Sequence, residues 1–79
     1  MKAAIEGVNI RGCEHKANKN GEPYLLVHFE ESTGAAAELV DKDMSREKYY
    51  VRDAEGTLYI DIRMGKWTSI RIIDFRVKE

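Results

Sequence analysis

A single cysteine, Cys13, in a chain of 79 residues excludes an internal disulfide and any cysteine framework that could staple a small fold. The two histidines, His15 and His28, are thirteen residues apart, and no Cys/His spacing has the pattern of a structural zinc site. No apolar run approaches the roughly 18 residues a membrane helix requires, and no signal-peptide pattern opens the chain. With the lone thiol, these absences give the expectation of a soluble, cytoplasmic protein without a membrane partner. Proline occurs once, at Pro23, and no linker, repeat or low-complexity stretch divides the sequence, so residues 1–79 are read as one domain. A domain of this size buries only roughly 60% of its unfolded surface. With disulfide and zinc excluded, dimerisation is the remaining supplement to a small core.

Catalytic patterns are equally scarce. There is no serine elbow, no phosphate-cradling glycine loop and no base that spacing would position against Cys13. The adjacent acids Glu30 and Glu31 point to opposite faces of an extended chain, which suits a solvated turn better than an acid–base pair. His15 reads as a loop residue and His28 as a surface position on a strand. The expectation is therefore a non-enzymatic protein with no catalytic residue, metal, cofactor or small-molecule substrate.

Charge of one sign is also lacking, since the net charge is −1, a value that alone argues against a nucleic-acid partner. The distribution is uneven, however. Residues 11–21 carry three Lys/Arg against one acid, and residues 63–79 carry five against two, whereas residues 22–62 carry four against ten acids. A fold that brings the two basic segments together would have a basic face and an acidic one.

What the chain does contain is strand and turn signal. Lys2–Ile10 reads as an edge-like first strand, followed by a polar loop over Arg11–Gly21 with turn chemistry at Asn20-Gly21. In Tyr24–Phe29 the residues Leu25, Val27 and Phe29 form the more continuous apolar set and are assigned to the core, which turns Tyr24 and Leu26 outward. A strand over 36–41 is expected to lead into a loop or one short helical turn. Tyr49–Arg52 is expected to enter another strand, and Asp53–Gly56 to form a turn. Thr57–Arg63 alternates Leu58, Ile60 and Ile62 against Tyr59, Asp61 and Arg63, and residues 64–68 should form a hairpin tip. In the last strand the apolar phase slips from Ile70 and Ile72 to Ile73, Phe75 and Val77, which predicts a β-bulge near Ile72-Ile73. Five short strands with closely spaced turns predict an all-β fold, a small five-stranded antiparallel OB-like barrel with protruding hairpins.

Two groups of side chains suit a single nucleic-acid strand, for which cations meet phosphates and aromatic faces stack on any base. The first is Arg11, Lys16 and Lys19 beside Tyr24 and Leu26. The second is the hairpin tip, where Trp67 lies between Lys66 and Thr68, with Arg63 nearby. A tryptophan at a tip needs a partner for its large apolar face, either a base or a second subunit, unless it folds back over its own barrel.

The run Lys19-Asn20-Gly21-Glu22-Pro23-Tyr24-Leu25-Leu26 resembles the glycine-x-proline-tyrosine-x-leucine segment of the filamentous-phage helix-destabilising proteins, the gene V type. Arg63-Met64-Gly65-Lys66-Trp67-Thr68-Ser69-Ile70 is similar to that family's second hairpin. The resemblance implies an OB-like dimer that coats single-stranded DNA during phage or mobile-element replication without reading sequence, RNA remaining open as a ligand. It would put Tyr24 and Leu26 on the DNA-binding wing, Trp67 at the hairpin aromatic and Arg63 at the basic position before it. Arg11, Lys16 and Lys19 correspond by region and not by motif; Lys66 is a candidate on its own position, as a cation flanking Trp67. The segment between Asp41 and Asp53 departs from the pattern, as does Asp74. Tyr50–Arg63 is also similar to the hairpin of PC4-type transcriptional coactivators, which bind single strands as dimers and need a C-terminal helix. A protein–protein interaction module, using the acidic middle segment or an open sheet edge, is the third reading.

Overall fold

Leu25, Val27 and Phe29 all point inward from one strand and are buried, so the alternation that marks the strand also marks the core. The structure, a computed structural model, describes residues 1–78. Its elements are β1 (Lys2–Ala17), β2 (Pro23–Glu30), β3 (Ala36–Asp41), a 3-10 helix (Met44–Tyr49), β4 (Glu55–Arg63) and β5 (Ser69–Val77). One five-stranded sheet closes into a ring in the order β1-β2-β3-β5-β4, with β4 returning to pair with β1. The expected all-β fold is found. Its pairing is not wholly antiparallel, because β3 and β5 run parallel where they meet, at Val40–Arg71 and Asp41–Ile72.

Ring closure depends on β1. Asn9 is paired with Glu55 of β4 on one side and Glu30 of β2 on the other, so the strand passes from one half of the sheet to the other at that point. Two irregularities bend it there, one between Ile5 and Val8 and one between Ile10 and Gly12. Gly7, at φ +68°, takes a conformation at the first that L side chains rarely adopt. β1 is consequently no edge strand. It also reaches further than expected: Arg11–Ala17 are strand, and the eleven-residue loop contracts to a tight turn around Asn18–Glu22. There the Asn18 side-chain oxygen accepts hydrogen bonds from the backbone N–H groups of Asn20 and Glu22, at 2.9 and 3.0 Å.

Two further expectations are corrected. Tyr49–Arg52 does not enter a strand, because the chain is still leaving the 3-10 helix and turns at Arg52-Asp53. Gly56 belongs to β4 rather than to a turn. A Cβ there would lie 2.1 Å from the backbone oxygen of Arg76, so the glycine lets β5 approach. The predicted bulge is present: Tyr59 pairs with Asp74 and Ile60 with Ile72, which leaves Ile73 as the extra residue. Ile72 and Phe75 both reach the core across it.

The core joins Val8, Ile10, Leu25, Val27, Phe29, Leu58, Ile60, Ile72 and Phe75 to Tyr50, which follows the 3-10 helix. Burial of each large aliphatic side chain contributes about 1.5–3 kcal/mol. Among the described residues one charged group is fully buried with them, Asp41, with 0% exposure. Its carboxylate accepts hydrogen bonds from Arg46 Nε at 2.7 Å, Arg46 Nη2 at 3.0 Å, the Tyr50 hydroxyl at 2.5 Å and the Asp43 N–H at 2.9 Å. This cluster fastens both ends of the 3-10 helix to the end of β3, and Asp43 caps the helix by accepting from Ser45 N–H. No helix among the described residues is long and apolar enough to cross a membrane.

Candidate nucleic-acid interface

Outward positions on neighbouring strands line up because residues two apart share a face. On β2 these are Tyr24, Leu26 and His28, each half-buried. Lys16 of β1 is opposite Tyr24, and Leu26 lies between Glu14 of β1 and Val40 of β3. Val40 is in turn opposite Arg71 of β5, and Arg71 opposite Asp61 of β4. The result is an apolar centre of Leu26 and Val40 with Lys16 and Tyr24 toward the β1–β2 turn. His28, on the other side, lies 3.7 Å from Glu14 and 3.3 Å from Glu38.

Lys42 continues this face from the end of β3. It lines a depression of about 260 Å³ with Asn18, Glu22, Pro23 and Tyr24. It also lines a second of about 260 Å³ with Val40, Arg63, Ser69, Ile70 and Arg71. The tyrosine on β2 and the cations of the β4–β5 hairpin therefore border one surface, joined through a single lysine.

The charges on that surface are partly spent. Lys16 lies 3.6 Å from Glu14, and Arg63 Nε donates to Asp61 at 3.2 Å, which holds the Asp61 carboxyl below the usual carboxylate range. Among the described residues, Lys19, Lys42 and Lys66 are in no ion pair. Lys66 and Trp67 stand on the 64–68 hairpin tip, where Trp67 is 80% exposed and Met64 76%. The ring does not fold back over its own sheet.

Set against protein-family models, curated proteins and solved structures, the chain matches none of them.

Of the residues singled out in the sequence, Lys16, Tyr24, Leu26 and Arg63 border the surface just described, with Lys19 on the adjoining turn and Lys66 and Trp67 on the hairpin. Arg11 stands apart. It is the extra residue of the second β1 irregularity, five residues or roughly 17 Å along the strand from Lys16. Its guanidinium donates to Glu30 at 2.7 Å and approaches Asp53 at 4.0 Å. The Glu30 hydrogen bond and charge raise its pKa further above an already high value. His15 is on β1, not in a loop, and is paired with Glu47 of the 3-10 helix. Burial, followed by the charge of Glu47, raises the Cys13 thiol above its ordinary value.

Val40, Lys42 and Arg71 border the face without having been singled out. Lys42 is flanked by Asp41 and Asp43 in the acid-rich middle segment, yet one carboxylate is buried against Arg46 and the other caps a helix. Alternation along β3 would have turned Val40 and Lys42 outward together. The approach of Arg71 depends on the parallel β3–β5 contact, for which the local sequence has no signal. Asp74, a departure from the gene V pattern, is opposite Tyr59 and lies 3.5 Å from Arg76.

Proposed function

We propose that the protein binds single-stranded DNA without reading sequence, as an OB-like, non-enzymatic dimer of the gene V type, and coats it during phage or mobile-element replication. The observation that carries this reading is Lys42 bordering both depressions, which makes Tyr24, Leu26 and Val40 continuous with Arg63 and Arg71. A single strand laid along such a surface meets cations for its phosphates and apolar or aromatic faces for its bases, at no fixed sequence. Trp67, free of intramolecular cover, supplies a further stacking face, and Lys19 and Lys66 add mobile phosphate contacts. The closed ring in the order β1-β2-β3-β5-β4 is consistent with the OB-like architecture that the resemblance implies. A second protomer would supplement a core of ten buried hydrophobic residues among those described.

Fluorescence anisotropy of labelled oligo-dT across a salt series tests the proposal. Affinity falls steeply with salt, with a slope set by the phosphates contacted, and a duplex of the same length competes poorly. Binding that stays flat from low to moderate salt refutes it.

Strand addition by a protein partner is the second reading, favoured by one feature of the sheet. β3 meets β5 at two residue pairs only, so the outer edge of Ala36–Leu39 has no strand neighbour among the described residues. Failure to bind any single strand, with a peptide protecting those amides from hydrogen exchange, would select it. The PC4-type alternative lacks support, because its C-terminal helix would fall where Ser69–Val77 forms β5.

A further inference from the structure

Where β3 and β5 meet, Lys42 and Arg71 border two adjoining depressions. One is the 260 Å³ depression on the Arg63 side. The other, of about 460 Å³, lies on the side of Met44 and Ile73. We propose that these two side chains form a fixed seat for one phosphodiester group of the bound strand. The inference rests on the reading above and assigns a phosphate position that neither sequence motif contains.

Three observations support it. The first is an orphaned donor. Arg71 Nε is buried and has no hydrogen-bond partner, whereas buried polar groups are almost always paired. An oxyanion at the seam would accept from Nε and from the neighbouring Nη in the fork geometry that guanidinium presents to phosphate.

The second is the pairing of Asp41 and Asp43, which flank Lys42, and of Asp61, which is opposite Arg71. Asp41 is occupied by Arg46 and Tyr50. Asp43 accepts from the Ser45 backbone and hydroxyl and lies 3.3 Å from Arg46. Asp61 is 3.9 Å from Arg71 Nη2, beyond hydrogen-bond reach, and is shared with Arg63 at 3.2 Å and the Met1 amine at 3.6 Å. Lys42 is in no ion pair among the described residues, so its ammonium is available to an anion at the seam. The third is rigidity. Arg71 is held in a paired strand, and Lys42 directly follows the Asp41 cluster, so neither backbone needs ordering on binding.

The test follows the Arg71 Nε–Hε resonance by NMR while oligo-dT, a base-free abasic oligomer of equal length, or inorganic phosphate is added. Salt slopes for oligo-dT are measured in parallel for the wild type and the variants Lys42→Gln, Arg71→Gln and, as a remote control, Lys48→Gln. The Nε–Hε signal should shift with both oligomers. Lys42→Gln and Arg71→Gln should each lower the salt slope by about 0.7, one phosphate's worth on a single strand, and Lys48→Gln should leave it unchanged. If Arg71→Gln fails to fold, the exposed Lys42→Gln carries the measurement. Wild-type binding with slopes unaltered in both seam variants overturns the seat and leaves the proposed function standing. A wild type that binds no single strand, while phosphate alone shifts the resonance, overturns the proposed function and the phosphodiester assignment, leaving a free-anion site. A resonance that responds to none of the three overturns the seat outright.

Discussion

Replacing Tyr50 with phenylalanine removes one oxygen from the buried cluster at the end of β3 and keeps the ring that packs against Phe75 with centroids 5.5 Å apart. The Asp41 carboxylate retains Arg46 and the Asp43 N–H, so no charge is orphaned. The loss is that of one hydrogen bond to a charged group, about 1.5–2 kcal/mol. Asp41→Asn is the harsher change, because it leaves the Arg46 guanidinium without its buried partner. Breaking such a pair costs about 3–5 kcal/mol, and here the lower end applies, since Arg46 is 18% exposed and still has Asp43 at 3.3 Å. A chain of this length has a total stability of about 4–12 kcal/mol. The phenylalanine variant should therefore melt about 10 °C below the wild type, and the asparagine variant roughly 15–20 °C below it. Far-UV circular dichroism is the proper assay, because Trp67 is exposed in the native state and reports unfolding poorly. An Asp41→Asn protein within about 0.5 kcal/mol of wild type, or a Tyr50→Phe protein less stable than it, would refute the reasoning.

The same cluster has an alkaline signature. Burial, then the hydrogen bond and charge of Asp41, raise the Tyr50 phenol above its ordinary value of 10.0. Its stabilising contribution is thus complete below pH 10 and is lost as pH rises and the unfolded chain ionises first. Above that pH, denaturation should show a slope shallower by up to about 1.4 kcal/mol per pH unit in Tyr50→Phe; identical slopes would contradict the assignment. Gly56→Ala should cost about 2–3 kcal/mol, since the added methyl meets the Arg76 backbone and cannot be relieved by a rotamer change; thermal melts would show it. Trp67→Ala should leave the melting temperature unchanged and weaken oligo-dT binding by about 1–3 kcal/mol. Unaltered affinity would return Trp67 to a contact with a second subunit.

Sequence by itself determined the parts governed by period two. Leu25, Val27 and Phe29 could face the core only if Tyr24 and Leu26 faced away, and a strand that must keep one side buried revealed its bulge at Ile73 through the slip in apolar phase. The tip at 64–68 was equally legible, because Gly65 interrupts two well-patterned strands. Tertiary structure decided what pairs with what. Arg11–Ala17 looked like a loop because its side chains are polar, yet ladder bonds to β2 make it strand regardless of side-chain polarity. Arg11 lost its place beside Lys16 because an ion pair to Glu30 and an irregular register put it at the other end of the ladder. Lys42 was obscured by the acids on either side, both of which are paired with Arg46, up to five positions away. Its association with Arg71 arises from a parallel contact between strands about thirty residues apart, and no local pattern encodes a long-range pairing of that kind.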